Sequence, residues 1–239
     1  MQSYLVVIPT YNETDNIVAI ISHLFSLPLP LSVLVVDDNS PDGTAREVES
    51  LMVKYPKRLF LENRSKKQGL GPAYLHGFEW ALPQAFDYII QMDADFSHDP
   101  SAMASFVTTF EEGADVVVGS RYSDGVTVVN WPLNRILLSY FASRYVQLIT
   151  RMPIKDPTAG YVGYRKKVLQ DLDLTKIRYI GYAFQIEMKY KAWKKGYRLV
   201  EIPILFKNRT KGQSKMSGKI IWEALFGVLL LPFQNLFNK

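Results

Sequence analysis

Asp93-Ala94-Asp95 is the stretch of this chain best suited to chemistry. It closes the run Asp87-Tyr88-Ile89-Ile90-Gln91-Met92, which reads as a buried strand. Two carboxylates one residue apart repel each other. The arrangement makes sense when a divalent cation sits between them and a polyphosphate. A lone D-x-D is more simply a solvated Asp-rich turn. Here Glu13, Asp37 and Asp38 also follow apparent strands, which favours one shared site.

The elements that must position these residues alternate regularly. Leu5-Val6-Val7-Ile8 is a continuous apolar run, as expected of a strand buried on both faces. Thr14 can cap a helix reaching about Phe25. Val33-Leu34-Val35-Val36 is a second strand, and the turn-rich Asn39-Ser40-Pro41-Asp42-Gly43-Thr44 leads into a helix ending near Tyr55. Leu59-Phe60-Leu61, Tyr88-Ile89-Ile90 and Val116-Val117-Val118 supply three more strands, with helices opening at Gly69-Leu70-Gly71-Pro72 and near Ser101. Such alternation gives right-handed crossovers and a mostly parallel α/β sheet, whose ligands bind beyond the carboxyl ends of the strands. No G-x-G-x-x-G follows the first strand and no G-x-x-x-x-G-K-[ST] occurs, which argues against dinucleotide and P-loop chemistry.

The second half is less regular. Pro132 to about Met152 reads as a helix with Ile136, Leu137, Tyr140, Phe141, Tyr145, Leu148 and Ile149 on a broad apolar face and Arg135, Arg144 and Arg151 among them. It suits either core packing or a membrane interface. Ile220–Phe233 is apolar except for Glu223, too short to span a bilayer and suited to a surface-lying or re-entrant segment.

A length of 239 residues suits one α/β domain with at most an appendage. The expected division is a catalytic domain over 1–218 and an amphipathic membrane-interfacial segment over 219–239. The absence of cysteine excludes disulfides and thiolate chemistry, and three scattered histidines do not make a zinc site. Apolar residues begin at Tyr4 without a basic leader, so the expected location is the cytosol or the cytoplasmic face of a membrane. Residues 1–118 hold 7 Lys+Arg and 16 Asp+Glu, net −9; residues 119–239 hold 21 and 7, net +14. An acidic half followed by a basic half implies two faces with different partners. No nucleic-acid-binding motif is present, so the basic half is expected to meet phosphates or an anionic membrane.

The ordered clusters resemble the family-2 glycosyltransferases of the GT-A (Rossmann-like) fold. The resemblance rests on Pro9-Thr10-Tyr11-Asn12-Glu13, Asp37 to Thr44, Gly69-Leu70-Gly71 and Met92-Asp93-Ala94-Asp95. Gly119-Ser120-Arg121-Tyr122, Asn134-Arg135, Asp156 to Tyr161, Gly181 to Met188, Glu201-Ile202-Pro203-Ile204 and Arg209 to Lys215 narrow it to the polyprenyl-phosphate (dolichol-phosphate) mannosyltransferases. The resemblance implies transfer of mannose from GDP-mannose to dolichyl or polyprenyl phosphate, with inversion at the anomeric carbon and Mg²⁺ or Mn²⁺ as cofactor. It implies that Pro9, Tyr11, Glu13, Val36 and Asp38 line the nucleotide pocket, with Asp38 on the base. Asp93 and Asp95 would hold metal and diphosphate beside Ala94. Arg121, Arg209 and Lys215 match positions that contact donor or acceptor phosphates, and Arg135 matches a second acceptor-phosphate arginine. Asp95, Arg121 and Arg135 are thus the catalytic candidates.

Two positions depart from the pattern. Ser97 stands where some members carry a third metal ligand, Gln, leaving water to complete the shell. Ile180 stands where many carry Lys, so no cation is assigned there. A glucosyl-phospho-polyprenol synthase, a polysaccharide-building relative and a non-catalytic nucleotide-sugar-binding subunit are the competing readings.

Several residues have plainer expected roles. Asp37 reads as a loop organiser and Asp42 as a helix cap. Asp156 with Thr158 is either a structural turn or part of the site. Gln185 and Glu187 are expected to open a helix facing the sugar. Lys189, Lys191, Lys194 and Lys195 read as a solvated helix face, and Lys66 and Lys67 as loop charges. Trp80, Trp193 and Trp222 read as packing residues. A phosphate monoester acceptor is already anionic near neutral pH, so positioned cations matter more than a general base.

Overall fold

The computed structural model describes residues 2–207 and 227–233. β1 (Tyr4–Thr10) and β2 (Leu31–Asp37) are the apolar runs expected to be covered on both faces, and both are. Alternate side chains serve opposite layers. Val6, Ile8, Val33 and Val35 pack with Ile17, Ile20 and Ile21 of α1 (Thr14–Ser26) and Val48 of α2 (Thr44–Met52). Leu5, Val7, Leu34 and Val36 pack instead with Ala73, Tyr74 and Phe78 of α3 (Leu70–Ala81). A Cβ on Gly77 would lie 2.5 Å from Val7, so this glycine lets α3 settle directly on the sheet.

β3 (Leu59–Asn63) lies outside β2, and β4 (Tyr88–Gln91) pairs with β1 on its other side, all in parallel. α4 (Met103–Glu111) leads to β5 (Val116–Ser120). The small β6 (Val128–Val129) and α5 (Leu133–Thr150) follow. β7 (Val162–Arg165) then inserts antiparallel between β4 and β5, an element not anticipated from the sequence. Four residues carry little periodicity. Its Gly163 is needed because a Cβ there would meet the Phe110 ring at 2.8 Å. α6 (Lys166–Asp171) and α7 (Tyr182–Lys194) lead to β8 (Leu199–Pro203), which joins β5 in parallel. β9 (Phe206–Lys207) pairs with β6 in a separate two-stranded sheet. The main sheet runs β3-β2-β1-β4-β7-β5-β8. The chain order reverses at β1 and β4, so their carboxyl ends flank a crevice, the usual ligand position in open α/β sheets.

The architecture is therefore the expected GT-A type: a mostly parallel sheet between helical layers. Expected helix and strand positions are met, with one local correction. Glu13, not Thr14, is the N-cap of α1, and it makes no side-chain capping bond. Thr14 gives its N–H and hydroxyl to the Asp42 carboxylate instead.

α5 packs through Val146, with Tyr145 and Ile149, onto Met152, Ile154, Ile186 and Tyr190. Leu133, Leu137, Leu138, Phe141 and Leu148 are exposed. The core-packing reading thus holds for one side of this helix, and the other side is bare. The expected boundary at 218/219 lies outside the described residues, as does Trp222. Within 227–233, Val228 and Leu231 pack on the α5 cluster while Leu229 and Leu230 are exposed. Among the described residues no helix is long and apolar enough to cross a membrane.

Candidate active site

A cavity of about 420 Å³ opens at the carboxyl ends of β1, β4 and β5. Pro9, Tyr11, Glu13, Asp38, Asp93, Ala94, Asp95, Arg121 and Arg135 all line it, although they come from five separate stretches of chain. Val36 does not line it. Alternation along β2 turns its side chain onto α3, 3.3 Å from where a Gly77 Cβ would sit, so its place is in the core. Arg209 and Lys215 lie outside the described residues.

Two aspartates behind the cavity organise the loops that carry its lining residues. Buried Asp37 accepts from Thr10 Oγ1 at 2.8 Å and from Ser40 N at 2.7 Å, which ties the β1 and β2 ends together. It is the loop organiser expected. Asp42 accepts from Thr44 N and Oγ1 at 3.0 and 2.6 Å as well as from Thr14, so it serves the starts of both α1 and α2. Partial burial works to raise its pKa, but the hydrogen bonds from Thr14 and Thr44 prevail and hold it to about 2. Asn12 and Asn39 adopt left-handed backbone conformations at φ 58° and 57°, as Asn in turns tolerates.

Asp38 is also buried, and its Oδ1 accepts from Arg64 Nη1 at 2.7 Å. Burial raises its pKa against the lowering effect of Arg64. Lys67, expected to be an ordinary loop charge, lies 4.2 Å over the Tyr11 ring and lines the cavity.

At the floor, Asp93 Oδ1 accepts from Tyr74 OH at 2.9 Å. Asp93 N donates to His98 Nδ1, and Ser97 N donates to Asp95 Oδ1, both at 3.0 Å. Ser97 therefore serves the Asp95 turn through its backbone. Burial pushes the His98 imidazole pKa down. Two oriented carboxylates are hard oxygen donors of the kind that bind Mg²⁺ or Mn²⁺ together with substrate phosphate and water, so the residues fit such an ion. Among the described residues no group of three or more His, Cys, Asp or Glu forms a closed metal cage.

Opposite stands Arg121. Its Nε and Nη2 each reach the Asp156 carboxylate at 2.7 Å, and Nη2 also reaches Thr158 Oγ1 at 2.7 Å. Asp156 is fully buried; burial raises its pKa, but the guanidinium overcomes this and holds it below the usual carboxylate range. Asp156 is thus a structural anchor behind Arg121, and Thr158 lines the cavity. Glu201 completes the support, accepting from Lys155 N and Asp156 N at 2.7 and 2.8 Å. Arg135, from the first turn of α5, stacks at 4.0 Å on Trp131. Trp131 was not legible as a site residue, because nothing in its local sequence separates it from the packing tryptophans. Trp80 is one of those, against Phe60 and Phe86, and Trp193 another, beside Tyr190.

The start of α7 departs most from expectation. Gln185 lines the cavity, but Glu187 turns away and accepts from Arg178 N at 2.9 Å. Lys189 is not solvated. It is fully buried and donates from Nζ to Ala159 O at 2.7 Å. Burial lowers its pKa to about 7, more than neighbouring Asp156 and Glu201 raise it. Ile180 lines the cavity, where no cation was expected.

The family model described as "Glycosyl transferase family 2" matches residues 5–173. The chain belongs to glycosyl transferase family 2. A "Polyprenol monophosphomannose synthase" from Mycolicibacterium smegmatis is 43% identical over 95% of the chain and 86% of the relative. An "Undecaprenyl-phosphate mannosyltransferase" from Micrococcus luteus is 39% identical over 94% and 91%. A "Dolichol-phosphate mannosyltransferase" from Pyrococcus furiosus is 36% identical over 92% of the chain but 61% of its own length. The resemblance read from the motifs is borne out.

Among solved structures, glucosyl-3-phosphoglycerate synthase from Mycobacterium tuberculosis, with Mn²⁺, UDP and phosphoglyceric acid, superposes with a TM-score of 0.70 at 15% identity, over 96% of this chain and 78% of that one. A mannosyltransferase from Pyrobaculum calidifontis in complex with GDP-Man and Mn²⁺ gives 0.60 at 17% identity, over 97% and 70%. At these identities the likeness is one of fold.

Proposed function

We propose that this protein is an inverting mannosyltransferase that moves mannose from GDP-mannose to a dolichyl or polyprenyl phosphate, releasing GDP. The observation that carries the reading is the meeting, in one cavity, of the Asp93/Asp95 pair with Arg121 and Arg135. Three of its relatives are named as a polyprenol monophosphomannose synthase, an undecaprenyl-phosphate mannosyltransferase and a dolichol-phosphate mannosyltransferase. The fold neighbour with GDP-Man and Mn²⁺ is consistent with the donor.

Each residue then has a task. Pro9, Tyr11 and Glu13 bound the nucleoside, and Asp38 meets the base. Asp93 and Asp95 would hold Mg²⁺ or Mn²⁺, which supplies Lewis-acid stabilisation of the departing diphosphate. Arg135 orients the acceptor phosphate, because a guanidinium pairs bidentately with phosphate oxygens. Arg121 works beside it as a fixed cation whose field Asp156 partly cancels. Arg209 and Lys215 are assigned to the same phosphates by resemblance. The acceptor is its own nucleophile, so the buried histidine need not act as a base.

α5 links chemistry to membrane. The helix that presents Arg135 also exposes Leu133, Leu137, Leu138 and Phe141, so phosphate and lipid tail can be met by one element. With the basic second half, this supports peripheral attachment to an anionic leaflet, on its cytoplasmic face.

Titration of GDP in the presence of Mn²⁺ tests the division of labour. Asp95→Ala should abolish metal-dependent GDP binding. Arg135→Ala should keep GDP affinity within about two-fold and lower transfer by about a hundred-fold. Equal loss of GDP affinity in both folded variants would refute the assignment.

A further inference from the structure

Two buried neutral side chains in the cavity have their donor faces fixed by partners that cannot be exchanged. The first is His98. A backbone N–H can only donate, so His98 Nδ1, 3.0 Å from Asp93 N, must be the unprotonated nitrogen. The ring is therefore the Nε2–H tautomer. Stacking on Tyr161 at 4.8 Å and an edge contact with Phe206 at 5.7 Å fix its plane.

The second is Gln185, and the logic runs through Gln91. Gly160 O can only accept, so Gln91 must present its amide nitrogen to it, at 2.7 Å. The same nitrogen donates to Gln185 Oε1, which fixes the Gln185 amide the other way round. Gln185 Nε2 is left buried, with no hydrogen-bond partner among the described residues. An unpartnered buried amide costs stability, so its retention in a cavity wall needs a reason.

Gly160 supplies the space between them. A Cβ built on it would lie 3.7 Å from His98 Nε2 and 3.9 Å from Gln185 Nε2. All three residues line the cavity. The niche left by the missing side chain is thus flanked by two N–H donors, both uncharged. A pair of this kind takes an acceptor oxygen. A diphosphate oxygen is better served by the cations and by a metal ion that Asp93 and Asp95 would hold, whereas a sugar hydroxyl suits neutral donors.

We propose that His98, Gln185 and Gly160 form a hydroxyl-recognition subsite for the transferred sugar and help set which sugar is accepted. This rests on the nucleotide-sugar reading above and assigns the hexose end of the donor to a named place.

The test compares GDP with GDP-mannose by titration calorimetry in Mn²⁺, on wild type and three variants. Gly160→Ala fills the niche with only ordinary contacts to its neighbours, the nearest at 3.5 Å, so the fold should tolerate it. His98→Asn keeps an acceptor near Asp93 N and removes the Nε2 donor. Gln185→Met removes the amide and leaves Gln91 on Gly160 O. Each should bind GDP as wild type does and bind GDP-mannose about ten-fold more weakly or worse. Variants that bind GDP-mannose like wild type, or lose GDP and GDP-mannose affinity equally, would overturn the subsite and leave the donor reading standing. A wild type that binds neither ligand would overturn both.

A readout on the ligand-free protein is independent of metal and activity. In ¹⁵N-resolved NMR of the imidazoles, the resonance lost in His98→Asn should carry its proton on Nε2. A proton on Nδ1 would overturn the proposal.

Discussion

Asp156→Asn should be among the most damaging isosteric changes in this protein. The carboxylate is fully buried, receives Arg121 in a two-pronged contact at 2.7 Å per prong, and also accepts from Arg121 N at 3.0 Å. Unit charges about 4 Å apart interact by about 4 kcal/mol at the effective dielectric that suits protein sites. Removing one member of a buried pair costs about 3–5 kcal/mol, since the other charge stays desolvated and unpaired. A loss of about 3 kcal/mol is therefore expected, seen as a urea midpoint lower by about 1 M or more. The pH dependence has a definite sign. The folded carboxyl lies below its ordinary value, so the stabilisation is present above about pH 4 and is lost as the pH falls through the folded pKa. Asp156→Asn should flatten that acid limb. Adding Arg121→Met should restore part of the stability, because no unpaired charge then remains buried. A loss under about 1 kcal/mol, with the acid limb unchanged, would show that the pair behaves like an exposed one and refute the reasoning.

Lys189 gives the opposite limb. Its folded pKa of about 7 lies below the unfolded value, so folding excludes a proton above neutrality and wild-type stability should rise from about pH 7 to 9 by on the order of a few kcal/mol. Lys189→Met should be flat over that range in denaturant titrations, and an equal rise in both proteins would contradict the assignment. Membrane attachment is checked by sedimentation with anionic vesicles. Binding at low salt should fall steeply as salt is raised, and replacing Leu137 and Phe141 by Ser should weaken it about ten-fold or more. Wild type left in the supernatant at low salt would refute the membrane reading.

The first half of the fold was legible because its signals are local. Apolar runs marked β1, β2 and β4, and turn-rich clusters marked the loops that follow, so Glu13, Asp38, Asp93 and Asp95 could be placed at one sheet edge. β7 was not legible: it is four residues long and is made a strand by its neighbours β4 and β5. Lys189 misled because α7 carries three lysines and Lys195 follows it directly, a clustering that ordinarily means a solvated face. Only the tertiary structure, with Ala159 O held against Nζ, turns one of them inward. His98 and Trp131 escaped because nothing in the sequence around a single His or Trp shows that folding will set it in the cavity lining. Val36 failed in the other direction: a motif position implied a pocket, and strand alternation sent the side chain to the core.

The most direct test of the central claim is transfer of labelled mannose from GDP-mannose to polyprenyl phosphate, with Mn²⁺ or with EDTA. The account predicts an acid-labile mannosyl lipid that forms with Mn²⁺, is absent with EDTA, and is lost in Asp95→Ala. Undiminished product in EDTA would contradict the role given to Asp93 and Asp95. No product from a protein that still binds GDP would contradict the proposed mannosyl transfer itself.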